Sequence, residues 1–170
     1  MDTKPSLLIL GYARHGKDTV ADILNKQYGF HFISSSVFVG QKILWPNWGI
    51  AKYKDFNEMF EDRVNHRQLW FEMIAAYNTP DKTRTVRGIL AECDMYVGMR
   101  SLAELEPSRH LFDQVVWVDR TVVLPPETGS MTITKENANP DYVIDNNGDL
   151  ADLHRNVARF VSHLEYKYGK

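Results

Sequence analysis

The sequence predicts an α/β fold built on five parallel strands. Short, continuous apolar runs alternate along the 170 residues with stretches of helical periodicity. Continuous apolar runs are typical of strands buried on both faces, and their alternation with helices is the pattern of a parallel sheet with right-handed crossovers. No internal repeat, low-complexity tract or linker interrupts residues 1–170, so we expect a single domain.

Strands and helices can be assigned in chain order. The strand candidates are residues 6–10, 30–33, 95–99, 115–118 and 142–144. The first helix should follow the first strand, because apolar residues recur there at helical spacing until Gly29, which suits a C-terminal cap. Further helices are expected at residues 34–44, closed by residues 45–46, at about 56–77, before residue 93, at 101–106 and from 149 onward, with a loop at 125–130.

Composition excludes several classes of function. A net charge of −2 argues against a protein that coats DNA through phosphate contacts. The single cysteine, Cys93, allows no internal disulfide, which suits a reducing compartment. The first apolar run is far too short to span a bilayer, and no signal peptide precedes it. We therefore expect a soluble cytoplasmic protein without direct nucleic-acid or membrane partners.

Directly after the first strand the chain reads G-Y-A-R-H-G-K-D-T, which contains the pattern G-x-x-x-x-G-K. The glycines at its two ends, Gly11 and Gly16, let successive backbone N–H groups point inward at an anion. Lys17 can reach the β- and γ-phosphates of ATP, and the helix that begins there adds the positive end of its dipole. Asp18, where Ser or Thr usually stands, would face Mg²⁺ directly or through water, and Thr19 could donate to the α-phosphate.

The same pattern also fits a glycine-bounded turn followed by an ordinary surface lysine. Its context favours a phosphate-binding loop, because an apolar strand precedes it and an amphipathic helix follows. The remaining loop residues, Ala13, Arg14 and His15, are expected to bind ATP mainly through their backbones. We interpret the His15 side chain as more suited to a structural role than to phosphate contact.

Arginines in two parts of the chain indicate a second anion site. The third strand candidate leads into Gly98-Met99-Arg100. Motor ATPases carry an acid at the end of such a strand to hold Mg²⁺, and this strand has none. An arginine at the carboxyl edge of a strand serves an anion better than a metal, which favours a phosphorylated acceptor over a motor. Arg63 and Arg67 stand four apart on a predicted helix face, where they could clamp a phosphate or form a solvated face beside Glu61 and Asp62.

These motifs resemble the tailed-phage deoxynucleoside monophosphate kinases, within the P-loop nucleoside monophosphate kinase superfamily. The family's Gly-Lys-Asp-Thr follows the first strand, and its Arg-x-x-x-Glu reappears as Arg100 to Glu104. A threonine-bearing loop at residues 132–134, then a short strand and Asn-Asn-Gly at 146–148, is similar to the family's C-terminal pattern. Residues 118–122 resemble the segment that opens the lid of adenylate kinases.

The resemblance implies a P-loop kinase three-layer sandwich with a helical insertion at residues 34–93 that binds the monophosphate and a short lid-like loop at 120–140. It implies that ATP and Mg²⁺ are the cofactors and that a nucleoside monophosphate, expected to be a deoxynucleotide, is the acceptor. The oligomeric state, monomer or homodimer, stays open, and a phage-encoded chain would work in the host cytoplasm. The acceptor site is assigned to Ser34, Arg63, Arg67, Arg100 and Glu104.

The remaining roles also follow from the resemblance. Lys17, Arg14 and Arg100 would carry the charge of the transferring group, since the expected lid offers no arginine and only Lys135 as a cation. Arg120 would stack on adenine or touch the ATP phosphates, and the loop of Asn146 would hold adenine through its backbone. Glu104 would orient the acceptor or form a helix-capping ion pair.

Alternatives remain at this stage. A P-loop kinase of another small metabolite, such as a dephospho-coenzyme A kinase, would need a base near the loop, and the sequence offers no clear candidate. A nucleotide-binding regulatory module would have no transfer activity. The aromatic residues of the insertion could stack on the acceptor base, although a core role is favoured; they are Trp45, Trp48, Trp70 and Phe71.

Overall fold

The computed structural model describes residues 4–127 and 131–169, which form a five-stranded, all-parallel sheet in the order β2-β3-β1-β4-β5. Strand β1 is therefore central, flanked by β3 and β4. The predicted α/β class with a parallel sheet is confirmed. The strands are β1 Leu7–Leu10, β2 Phe32–Ser34, β3 Met95–Val97, β4 Gln114–Asp119 and β5 Tyr142–Asp145.

Helices cover both faces of the sheet. The α-helices are α1 Lys17–Tyr28, α2 Ser35–Val39, α3 Trp45–Asn47, α4 Phe56–Glu61, α5 Arg67–Asn78, α6 Arg84–Leu90, α7 Leu102–Ser108, α8 Lys135–Ala138 and α9 Leu150–Tyr168. A π-helical turn, Gly40–Leu44, joins α2 to α3, and 3₁₀ turns lie at Gly49–Ala51, Asp62–Asn65 and Arg109–Leu111.

The core has two halves because strand residues alternate between the faces. Leu7 and Ile9 face α1 and α9, where they pack with buried residues of both helices. Leu8 and Leu10 face the opposite side and pack among the helices of residues 35–111. Both halves are fully enclosed around β1, whose four residues are 0% exposed. This central strand ends at the loop that carries the phosphate-binding pattern.

After the end of β2, every regular element within residues 34–93 is helical, as predicted, but the helices are shorter than expected. The first one does not end at residues 45–46, since the chain passes through a π-helical turn and α3 continues to Asn47. The predicted long helix over 56–77 is broken between α4 and α5 by the 3₁₀ turn Asp62–Asn65. There the Asp62 carboxylate accepts hydrogen bonds from Tyr53 and Asn65, which stabilises the tighter turn.

The predicted lid-like loop at 120–140 is not a simple loop. Its first residues form a turn in which the backbone N–H groups of Val123 and Leu124 donate to the carbonyl of Arg120. Its last part forms α8, which begins with a capping box between Thr134 and Asn137. Residues 128–130, part of the expected loop at 125–130, lie outside the described residues. Within 4–127 and 131–169, no helix has both the length and the apolar character needed to cross a membrane.

Candidate functional site

The phosphate-binding pattern occupies the turn between β1 and α1, at the carboxyl edge of the sheet. Gly11 has φ 155° and Gly16 has φ 93°, conformations that favour glycine, and Arg14 adopts φ 62° between them. A Cβ at Gly11 would lie 2.8 Å from the carbonyl oxygen of Val118, so only glycine allows β1 to turn this close to β4. The loop therefore has the backbone conformation that its sequence predicts.

His15 faces the interior, away from the anion site. Its side chain is 0% exposed, and Nδ1 accepts a hydrogen bond of 3.2 Å from the backbone N–H of Arg120. Its carbonyl accepts from Nδ2 of Asn146 at 2.8 Å, and its ring packs edge-on against Tyr12. The His15 side chain thus ties the loop to the residue after β4, and its backbone carbonyl ties the loop to the residue after β5.

Asn146 and Arg120 complete this tie. The backbone N–H of Asn146 donates to the carbonyl of Asp119 at 2.8 Å, and its own carbonyl accepts from Nη1 of Arg120 at 2.9 Å. Both backbone groups of Asn146 therefore already bond within the protein, and the contact of the 146–148 loop with adenine stays a prediction. Arg120 fixes the same corner, and stacking of its guanidinium on adenine stays a prediction.

An anionic side chain already contacts the loop. One carboxylate oxygen of Glu127 accepts a hydrogen bond from the backbone N–H of Ala13 at 3.0 Å, and the other pairs with Nη2 of Arg100. The hydrogen bond from Arg100 lowers the pKa of Glu127, assisted by the Ala13 amide and the charge of Lys17, against the opposing effect of burial. The loop amide and Arg100 therefore hold one anion position, which also feels the charge of Lys17.

Lys17 starts α1 and lies beside the turn that follows β3. Gly98 has φ 85°, and a Cβ there would be 3.4 Å from Cε of Lys17. Asp18 and Thr19 are exposed in the first turn of α1, where they are accessible to a ligand of the loop. The nucleotide contacts of these three side chains stay predictions.

The loop also fits Mg²⁺ bound together with phosphates. The described residues contain no group of three or more His, Cys, Asp or Glu side chains that could hold a metal alone. Mg²⁺ is commonly held by one or two carboxylates together with phosphate oxygens and water, and the exposed Asp18 carboxylate beside the loop can serve as such a ligand.

Next to Arg100 lies a cavity of about 390 Å³ between the helical segment and the end of β3. We call it the acceptor cavity. The cavity adjoins the candidate phosphate site through two of its lining residues, Arg100 and Gly98. Arg100 pairs with Glu127, and Gly98 lies beside Lys17. Its walls are mainly apolar, and its further lining residues are Ser35, Ser36, Val39, Phe71, Ile74, Asn78, Thr85, Tyr96, Met99, Ser101 and Glu104.

Glu104 lines the acceptor cavity, and among residues 4–127 and 131–169 it forms no helix-capping ion pair. Its Oε1 instead accepts a hydrogen bond of 2.9 Å from the hydroxyl of Tyr96. Burial raises the pKa of Glu104, and the tyrosine hydrogen bond only partly opposes this effect. Burial also raises the pKa of Tyr96 well above its usual value, so this hydroxyl stays protonated as the donor.

Arg63 and Arg67 do not line the acceptor cavity with Arg100. They line a second cavity of about 420 Å³, which shares Ser36, Phe71 and Ile74 with the acceptor cavity. They do not share one helix face, because Arg63 is in the 3₁₀ turn Asp62–Asn65 and Arg67 begins α5. Arg63 donates to the carbonyl of Phe60 at 2.7 Å and stacks on its ring, so part of its binding capacity is already used.

The other residues predicted to contact the acceptor also differ in whether they line a cavity. Ser34 does not line either cavity; its hydroxyl caps α2 by accepting from the backbone N–H of Val37 at 3.3 Å. Trp45, Trp48 and Trp70 pack within the aromatic core of the helical segment, as the favoured interpretation expected. Phe71 differs, because it is 69% exposed and lines both cavities.

Sequence reasoning missed two contributors to this site. Glu127 was only part of a predicted loop, and its contacts with Ala13 and Arg100 span 114 and 27 residues. Tyr96 was predicted only as a strand residue. Its spacing from Glu104 was a weak signal, because a residue of a strand can contact the first turn of the helix that follows it. For Glu127, the lone acid in an otherwise apolar run, V-V-L-P-P-E, was the available hint.

Comparisons with known proteins address the fold. No protein-family model and no curated protein matches the chain. Among solved structures, the crystal structure of TT1252 from Thermus thermophilus is similar with a TM-score of 0.56 and 18% identity, covering 95% of this chain and 99% of that one. At this identity the likeness shows a shared fold alone, which agrees with the parallel sheet described above.

Proposed function

We propose that this protein transfers the γ-phosphate of ATP to a nucleoside monophosphate, with a deoxynucleotide as the expected acceptor. One observation carries the proposal: the Glu127 carboxylate contacts the Ala13 amide and the Arg100 guanidinium at the same time. An anion of that size can thus bind between the phosphate loop and an arginine of the acceptor cavity. Phosphoryl transfer needs this arrangement, because the moving group lies between donor and acceptor.

The charges around this position suit the reaction. Lys17 and Arg100 both act on the carboxylate of Glu127, and they would act likewise on phosphate oxygens. Arg14 is exposed in the same loop as Lys17 and adds a third cation near this position. ATP would supply the phosphoryl group when bound, and Asp18 would help to hold Mg²⁺ beside it. A monophosphate acceptor is already ionised near neutral pH, so the protein needs no general base.

The acceptor cavity supports a nucleotide as the second substrate. Its volume of about 390 Å³ lies within the range of small-molecule sites, and its walls combine apolar side chains with a few polar groups. The exposed ring of Phe71 offers a face on which a base can stack. Arg100 would bind the acceptor phosphate at the end nearest the loop. The preference for deoxyribose rests on the resemblance of the Gly-Lys-Asp-Thr and Arg-x-x-x-Glu motifs.

A kinase of an alcohol, such as a dephospho-coenzyme A kinase, is a second candidate because of Glu104. An alcohol acceptor requires a base, and Glu104 is a carboxylate that lines the acceptor cavity. Its raised pKa would bring it nearer to that task, although the Tyr96 hydroxyl occupies one of its oxygens. The monophosphate proposal requires no such base.

A substrate panel tests the proposal. Purified protein with Mg²⁺ and ATP is incubated with each ribo- and deoxynucleoside monophosphate and with dephospho-coenzyme A, and the products are separated by ion-exchange chromatography. We expect nucleoside diphosphate from at least one deoxynucleotide, with little ADP formed when no acceptor is present. Arg100→Ala should raise the KM for the acceptor and lower turnover, whereas Arg159→Ala, an exposed arginine of α9, should leave both unchanged.

Each result has a definite meaning. Transfer to dephospho-coenzyme A alone would replace the monophosphate by an alcohol and direct attention to Glu104. ATP binding without transfer to any acceptor would favour a nucleotide-binding regulatory module. Equal transfer by wild type and Arg100→Ala would remove Arg100 from the site and contradict the proposed geometry.

A further inference from the structure

Glu127 places a negative charge inside the candidate phosphate site. Its side chain is only 17% exposed, and both carboxylate oxygens are engaged, one by the Ala13 amide at 3.0 Å and one by Arg100. The charge of Lys17 also favours the ionised carboxylate. A loop amide and a guanidinium are two of the donors that hold phosphate oxygens in nucleotide sites. Glu127 therefore uses the groups that a phosphate would use.

Two anions cannot share these donors. A phosphate bound by the Ala13 amide and Arg100 would lie against the carboxylate of Glu127, and like charges in contact within a partly buried site repel strongly. Either Glu127 withdraws or the phosphate does not bind there. The Ala13 and Arg100 contacts thus link the position of Glu127 to occupancy of the site.

The segment that carries Glu127 is anchored at its start. Asp119 accepts hydrogen bonds from the backbone and hydroxyl of Thr121, and the N–H of Val122 donates to Asn147 at 3.0 Å. Beyond this anchor, Pro125 and Pro126 have no backbone N–H to donate, and Val122 and Val123 expose their side chains. The carboxylate can leave the loop without opening either half of the hydrophobic core.

We propose that Glu127 is an intramolecular competitor of the nucleotide phosphates, whose carboxylate must leave the Ala13 amide and Arg100 before a phosphate can bind. Because the ligand is taken to be ATP, this inference rests on the proposed function. In consequence, the loop without Glu127 bound to it should have a higher affinity for phosphates than the wild-type protein has. Removing the negative charge from residue 127 should tighten phosphate binding.

Calorimetric titration of matched variants tests the competition. Pyrophosphate and Mg-ATP are each titrated into wild type, Glu127→Gln, Glu127→Ala and Glu127→Asp. Glu106→Gln, an exposed acid of α7, is the control. Pyrophosphate reports on the anion site without any nucleotide, so this arm does not depend on ATP being the substrate. We expect Kd for pyrophosphate to fall about tenfold in Glu127→Gln and Glu127→Ala, the size of one charge-assisted contact. Glu127→Asp keeps the charge and should tighten binding less, and the control should match wild type.

The opposite outcomes overturn the inference. Unchanged or weaker pyrophosphate binding in both Glu127→Gln and Glu127→Ala would show that Glu127 supports the site or only positions its loop. Absence of pyrophosphate binding to every variant would overturn it as well. Failure of the proposed function looks different: tighter pyrophosphate binding in the variants would persist, while no acceptor in the substrate panel would be phosphorylated. Circular dichroism of each variant checks folding, and Glu127→Asp provides a second reading if another variant does not fold.

Discussion

The phosphate loop, residues 11–19, and the helical segment, residues 34–93, reach the same site by different routes. The loop is determined locally, since Gly11 and Gly16 adopt positive φ values beside a buried strand. The helical segment depends on aromatic packing between its successive short elements, which are interrupted by π-helical and 3₁₀ turns. Local patterns therefore predict the loop well, whereas the shape of the acceptor cavity depends on tertiary contacts.

The largest expected effect concerns two adjacent residues of α5, one in the core and one at the cavities. Trp70 is 6% exposed and packs against Phe60, whereas Phe71 is 69% exposed and lines both cavities. Trp70→Ala should lower the free energy of unfolding by about 3–5 kcal/mol, because it leaves a large void in the aromatic core. Phe71→Ala should change it by less than about 1 kcal/mol, since little buried surface is lost, while raising the KM for the acceptor. Urea unfolding and steady-state kinetics measure the two effects.

The contrast between adjacent residues is its own control. A stability loss in Phe71→Ala as large as in Trp70→Ala would mean that both rings are core residues. An unchanged acceptor KM in Phe71→Ala would place the second substrate outside the acceptor cavity.

A second test concerns the charge of the loop. Lys17→Ala should lower turnover by about 10²–10³-fold, because a single charge contact to a transferring group is worth this much in such a site. Lys26→Ala lies on the same helix, where Lys26 forms an exposed pair with Asp22, and it should leave turnover near the wild-type value. Initial rates at saturating ATP and acceptor measure both variants. Comparable rates in Lys17→Ala and wild type would exclude Lys17 from the transfer step.

The smallest expected effect lies at the junction between β4 and the predicted lid. Burial opposes ionisation of Asp119, but hydrogen bonds from Lys135 and Thr121 outweigh it and lower its pKa to about 2. A carboxylate with a lowered pKa stabilises the fold above its unfolded pKa of about 4, and this contribution is lost as the pH falls toward 2. Asp119→Asn should therefore cost about 1–2 kcal/mol at pH 7 and progressively less below about pH 4.

Urea unfolding of wild type and Asp119→Asn at several pH values measures this dependence. Asp22→Asn removes an exposed carboxylate from α1 and should show little cost at any pH. A stability difference between wild type and Asp119→Asn that stays constant from pH 7 to about pH 2.5 would contradict the role assigned to the ionised Asp119.

The sequence was sufficient to predict the strands, the parallel sheet and the glycine-bounded turn between β1 and α1. Hydrophobic runs report burial directly, and Gly11, Gly16 and Lys17 are meaningful because of their position between a strand and a helix. The adjacency of Arg100 to the loop also followed, since the carboxyl ends of parallel strands meet at one edge of the sheet.

Features determined by particular hydrogen bonds, rather than by hydrophobic periodicity, could not be predicted in this way. The helical periodicity of residues 56–77 continues through the break at Asp62–Asn65, where side-chain hydrogen bonds to Asp62 favour a tighter turn. Likewise, no local pattern indicates that Asn146 uses its backbone to hold β4 and Arg120. Glu127 meets Ala13 only because the chain returns to the loop after β4.

The account depends on one anion position shared by the phosphate loop and Arg100. A crystal structure with a non-hydrolysable ATP analogue, Mg²⁺ and the best monophosphate acceptor from the panel tests it most directly. The account predicts triphosphate oxygens on the backbone N–H groups of the loop, the acceptor phosphate on Arg100, and Glu127 away from Ala13. A nucleotide bound elsewhere, or Glu127 still on the Ala13 amide beside a fully bound triphosphate, would contradict it.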